Sequence, residues 1–350
     1  MRIRTLILTL CLALTGAVSN YAQAQQSGIV SLPPALRAAV MSGNAQAVSQ
    51  AINTLSGGNP QRAADLANLV VTAAEQMLSI NPQAAIAAAG AAVETVRNTT
   101  VQTGGPTQTQ SVLTTAARIF VAPAATQVAP TQAAALATSA LQVAVATNNP
   151  TVIANVAQSA VTTAERLAQT NPAAAVQLAS QSVQAVGAQS VSNNAPGQTA
   201  NVAATAARII VQPAVQQAAP QTVAQIAVSV TQVVTNPVVY QAAPQAAVQV
   251  MANAYSAATS QTVVAASPQA AGTVTQTLSQ ASASNALGQT NPSNAAQINA
   301  ILANQNQQQP LPQDQGQTQN QQQQQQNQQQ NQQGDVVVEN PADFIPVSPT

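Results

Sequence analysis

Residues 59–148 and 149–238 are two copies of one unit, and no other feature constrains the fold as much. Laid against each other without a gap, about four positions in ten are identical, more than a bias toward alanine would give. Asn81-Pro82 falls on Asn171-Pro172, Glu75 on Glu165, Pro106 on Pro196, Arg118 on Arg208, Pro123 on Pro213 and Pro130 on Pro220. The run Thr115-Ala116-Ala117-Arg118-Ile119 recurs as Thr205-Ala206-Ala207-Arg208-Ile209. Two copies of one sequence must share one fold, so whatever a unit forms is formed twice.

The punctuation inside each unit predicts helices. Asn59-Pro60, Asn81-Pro82, Asn149-Pro150 and Asn171-Pro172 each place a good N-cap before a proline. The asparagine side chain can accept a bond from an orphan N–H, and proline fits the first helical position because no partner exists there for an N–H. Apolar residues then recur at helical spacing: Ala63, Leu66, Val70, Ala73, Met77 and Ile80 after Pro60, and Ile153, Val156, Ala160, Ala164 and Leu167 after Pro150. The second helices carry Ile86, Ala89, Val93 and Val96, and Val176, Ala179, Val183 and Val186. A third helix follows the loops ending at Pro106 and Pro196, and a fourth starts near Pro130 and Pro220.

Four helices per unit give a hairpin of roughly 45 residues. The expected fold is therefore all-α, with tandem helical-hairpin repeats forming an α-solenoid or an elongated multi-helix bundle. In period alone it resembles the HEAT and armadillo size class. Gln225 to Val234 is ambiguous, since Ile226, Val228 and Val230 alternate as a strand would. Helix is preferred because the aligned partner, Ala135 to Ala144, is rich in Ala and Leu.

Composition narrows the chemistry. Charged residues are 5% of the chain and aromatic residues 1%, and there is no His, Lys or Trp. The absence of a basic patch and of stacking aromatics argues against nucleic-acid binding. Cys11 is the only cysteine, so neither imidazole nor thiolate chemistry is open to the rest of the chain, and no cofactor or metal is expected. Asp65, Glu75, Glu94 and Glu165 are the only acids before the C-terminal region. Glu75 and Glu165, the two that recur, fall on successive repeats, a poor basis for a catalytic carboxylate pair. Glu75 with Arg118, and Glu165 with Arg208, instead suggest ion pairs between the first and third helices of each unit. Alternatively, each arginine merely complements the dipole of its helix's last turn.

The ends carry other signals. Residues 1–24 read as a signal peptide: Arg2 and Arg4, an apolar run from Leu6 to Val18, and Ala22-Gln23-Ala24 before Gln25. Leu10 before Cys11 does not suit a lipidation site. Residues 25–58 are expected to form an N-terminal helical cap, and 239–303 a degenerate C-terminal unit in which the repeat erodes. Residues 304–334 are Gln/Asn-rich, including an unbroken Gln321 to Gln326, a composition that cannot bury a core and is prone to β-assembly. Residues 335–350 carry Val336, Val337, Val338, Phe344 and Ile345 among acids, the pattern of a docking peptide or of a plain terminus. Asn98-Thr99-Thr100 is a glycosylation sequon.

The expectation is a secreted, periplasmic or cell-surface protein without enzymatic activity and without a membrane span after signal cleavage. It would serve as a structural or matrix element that self-associates or anchors through its tail. The alternative is a scaffold that binds a protein partner on a solenoid face.

Overall fold

A computed structural model describes residues 32–303, of which 86% are helical. The expected signal peptide, the lead-in to residue 31, the Gln/Asn tract and the terminal peptide lie outside the described residues. The chain opens with α1 (Pro34–Met41) and α2 (Ala45–Ser56). Gly57, left-handed at φ 58°, ends α2, a conformation that glycine adopts without Cβ strain. The first unit contains α3 (Pro60–Met77), α4 (Pro82–Arg97), α5 (Thr99–Gly104), α6 (Pro106–Val121), α7 (Pro123–Val128) and α8 (Pro130–Ala146). The second repeats it as α9 (Pro150–Leu167), α10 (Pro172–Gly187), α11 (Gln189–Asn194), α12 (Pro196–Ile210), α13 (Pro213–Ala218) and α14 (Pro220–Val234). There follow α15 (Pro237–Ala242), α16 (Pro244–Thr259), α17 (Gln261–Ala266), α18 (Pro268–Ser282), α19 (Asn285–Thr290) and α20 (Asn294–Ala303).

The long helices pack in two rows. In the first row α3, α6, α9, α12, α16 and α20 lie side by side in that order. In the second, α2, α4, α8, α10, α14 and α18 do the same. Each helix also packs on members of the opposite row, as α3 does on α4 and α14 on α16. Among the described residues no helix packs closely against the one two places along its own row, so the unit is a stack of hairpins in which packing runs between neighbours. First-row helices begin at Pro60, Pro106, Pro150, Pro196 and Pro244, so the structural repeat is the hairpin, half the sequence repeat. Past residue 238, where the sequence repeat erodes, α16, α18 and α20 continue both rows without a break.

The residues explain the packing. The predicted stripes of α3, α4, α9 and α10 are all buried, from Ala63, Leu66 and Val70 in α3 to Val183 and Val186 in α10. Ile80 is the exception at 80% exposed, because α3 stops at Met77 and the turn carries Ile80 outward. Alanine supplies much of the core, among it Ala85, Ala88, Ala89 and Ala92 in α4. Small side chains let helix axes approach toward the short end of the usual range of about 8–10 Å. Interior helices bury several flanks, nine residues in α3 and ten in α9. Outer helices bury one stripe: Val48, Ile52 and Ser56 in α2, and Ala270, Val274, Leu278 and Ala281 in α18. The remainder of α18 is Pro, Gln, Thr, Ser, Gly and Ala, which suits a terminal element that meets water.

Helix starts follow two designs. Asn59, Asn81, Asn149 and Asn171 accept bonds through Oδ1 from the N–H groups of Arg62, Ala84, Val152 and Ala174 at 3.0, 3.1, 3.3 and 3.2 Å. The helices α6, α8, α12, α14, α16 and α18 start at proline without a side-chain cap. Each is reached through one non-helical residue that ends a six-residue helix and begins the long one, such as Gly105, Ala129, Ala195 or Ala219. These short helices replace the loops expected from the sequence. Six residues span fewer than two turns, too few for an apolar period to register. Gln225 to Val234 is helical, with Val223, Ile226 and Val230 buried.

Candidate functional site

The charged groups that recur lie on the first row. Arg118 Nε donates to Glu75 Oε1 at 2.6 Å and its Nη2 to Oε2 at 2.9 Å. Arg208 Nε donates to Glu165 Oε1 at 2.9 Å and its Nη2 to Oε2 at 3.3 Å. Both are two-pronged bonds between the first and third long helices of a unit, a geometry that suits arginine's planar fork. In each copy Nη2 also donates to a threonine one turn back, Thr115 at 3.1 Å and Thr205 at 3.2 Å. Glu75 raises the already high pKa of Arg118 by accepting its hydrogen bonds.

Further bonds run between neighbours on the same row. Ser111 Oγ donates to Asn68 Oδ1 at 2.8 Å, and Gln198 Nε2 to Asn155 Oδ1 at 2.7 Å. Between the units, Thr163 Oγ1 donates to the Phe120 carbonyl at 3.3 Å and Arg166 Nη1 to the Val121 carbonyl at 2.6 Å, meeting the end of α6. Nearly all these partners are 43 residues apart. Glu75 and Arg118 define that offset in the sequence; applied to uncharged residues it would have found Asn68 with Ser111 and Asn155 with Gln198.

The C-terminal end is held differently. Tyr240 is fully buried, and its hydroxyl donates to Asn294 Oδ1 at 2.7 Å while accepting from Asn291 Nδ2 at 3.1 Å. Asn294 Nδ2 donates in turn to the Ala281 carbonyl at 2.9 Å. The network ties α15 and α18 to α20. Burial pushes the Tyr240 phenol up, only partly opposed by the bond from Asn291. No periodicity marks these residues, and nothing in the sequence pattern singles them out.

The second row is chemically plain. Glu94 and Arg97, paired at 3.2 Å on α4, are its only charged residues, and from Ile209 to Ala303 there is no Asp, Glu, Lys or Arg in either row. Many hydroxyls bond the carbonyl one turn earlier in their own helix, as Thr72, Thr162 and Ser182 do. Asn98 of the sequon caps α5, accepting from Thr100 N at 3.0 Å. Among the described residues no three His, Cys, Asp or Glu gather where they could hold a metal, and no helix is long and apolar enough to cross a membrane. The surface of the described residues includes two shallow clefts. One of about 480 Å³ lies open between α1 and α2 against Ala35, Ala38, Ala47 and Ala51. The other, about 230 Å³, is lined by residues of α10, α11 and α14, including Gln184 and Gln232. No known family model matches the chain, and no curated protein matches it.

Proposed function

We propose that the chain is an exported, non-enzymatic structural element of a surface or matrix, in which the helical stack is a rigid body and the Gln/Asn tract associates one copy with another. The observation that carries this reading is where the polar side chains are spent. Glu75, Arg118, Glu165, Arg208 and Arg166 bond neighbouring helices of one row to each other, which fixes register and engages both recurring carboxylates with arginine. The leader-like residues 1–24 support export, and the amide-rich tract supports self-association.

The test is fractionation of source cells carrying a tagged chain, followed by sedimentation of the purified protein with and without residues 304–350. The proposal expects the protein outside the cytoplasm, concentration-dependent assembly at micromolar levels, and loss of that assembly on truncation. A monomer that co-purifies with one other protein would overturn it in favour of a binding scaffold.

A further inference from the structure

At corresponding places on the second row, the first unit has a bridge and the second unit has a cleft. Arg97, the last residue of α4, donates to Glu94 Oε2 of its own helix at 3.2 Å and to Gln142 Oε1 of α8. Its guanidinium therefore spans two neighbouring helices. In the gap-free alignment of the units, Arg97 becomes Gly187, Glu94 becomes Gln184, and Gln142 remains glutamine as Gln232. The helices α10 and α14 pack on each other as α4 and α8 do, but position 187 has no side chain to bridge them. The cleft of about 230 Å³ lies there, lined by Gln184, Gly187 and Gln232 together with Ser192, Ser229 and Asn236.

We infer that this cleft is a binding site for a guanidinium group, the side chain of an arginine brought by another molecule, in the place that Arg97 fills in the first unit. The site does not depend on the self-association proposed above. Its volume falls below the range of about 300–1,000 Å³ usual for small-molecule pockets, so it suits a single side chain. Its chemistry suits a donor: Gln184 and Gln232 carry carboxamide oxygens and Ser229 a hydroxyl, while a guanidinium offers five N–H groups in a planar fork and accepts nothing. Gln184 Nε2 donates to Ser180 Oγ at 3.4 Å, which leaves its Oε1 to accept. Exchange of Glu94 for Gln184 costs the site little, because the Glu94 and Arg97 side chains are 59% and 45% exposed and water screens a pair so exposed. Gly187 keeps the entrance clear, since a Cβ there would stand 3.3 Å from Val233 Cγ2.

The probe is N-acetyl-argininamide, titrated into the nitrogen-15-labelled full chain while NMR follows the Gly187 backbone amide and the Gln184 and Gln232 side-chain amides. These signals should shift saturably in the millimolar range, and should still do so in about 0.5 M NaCl, because the lining carries no charge for salt to screen. N-acetyl-lysinamide, of the same charge, should shift them at least tenfold less at equal concentration, since an ammonium lacks the planar fork. That contrast is measured on the wild-type chain and needs no variant. Gln184→Leu with Gln232→Leu should abolish the arginine response at Gly187. Gly187→Arg with Gln184→Glu, which rebuilds the bridge of the first unit inside the second, should abolish it at Gln232. Circular dichroism of each variant verifies that the helices persist. Absent shifts, equal shifts with the lysine compound, or an arginine response that survives both variants would overturn the assignment.

Discussion

Single residues in this chain act mainly by linking one helix to the next. The Glu75–Arg118 side chains are 34% and 56% exposed, so water screens the pair and its coupling should be about 0.2–1 kcal/mol. A double-mutant cycle with Glu75→Ala and Arg118→Ala, followed by urea unfolding, should return that coupling and see it shrink in high salt. Two independent surface charges would return zero. Tyr240 matters more, because it is buried among groups that need its hydroxyl. Tyr240→Phe leaves Asn294 Oδ1 without its donor and should cost about 1–3 kcal/mol. The phenol also predicts a pH dependence. Its folded pKa is raised above the unfolded 10.0, so its contribution is complete below that pH. It is lost as pH rises through the folded value, since the unfolded state then ionises first. Thermal melts from pH 8 to 12 should fall more steeply above pH 10 for the wild type than for Tyr240→Phe.

At the scale of elements, proline and asparagine set where helices begin and small residues set how closely they lie. Asn59→Ala and Asn149→Ala should each cost about 1 kcal/mol of stability, measurable by urea unfolding, because each side chain caps the helix that opens its unit. Gly105 tests close approach: a Cβ there would lie 2.6 Å from Ala64 Cβ, an atom fixed to the backbone of α3. Gly105→Ala must push α6 from α3 and should lose about 1–3 kcal/mol, measurable as a drop in Tm. The long helices were legible because Asn-Pro and a 3.6-residue stripe mark them, as in Pro60 to Met77. The six-residue helices were not, because Pro123 or Pro213 reads equally well as the end of one helix and the start of another. Among the candidate site residues, Glu75, Arg118, Glu165 and Arg208 were legible as pairs because each charge is rare and recurs. The Tyr240 network was hidden, because its partners are 51 and 54 residues away and occur once.

For the helical body as a whole, the central claim is that residues 32–303 form one stack in which each hairpin touches only its neighbours. Coupling in such an array runs from hairpin to hairpin, so its ends carry disproportionate weight. Removing residues 268–303 takes away α18, α19 and α20 and bares the apolar sides of α14 and α16 that α18 and α20 cover. That truncation should precipitate or bind a hydrophobic dye, whereas the intact chain should do neither. The stack itself is open to a direct measurement, because the chain has no cysteine beyond Cys11 and thiols can be placed at will. In a Cys11→Ser background, a short bifunctional thiol reagent should cross-link Asn68→Cys to Ser111→Cys, and Asn155→Cys to Gln198→Cys, one place apart on the first row. It should fail to link Asn68→Cys to Asn155→Cys, two places apart. Equal linking of all three pairs, or linking of the last pair alone, would contradict the two-row stack.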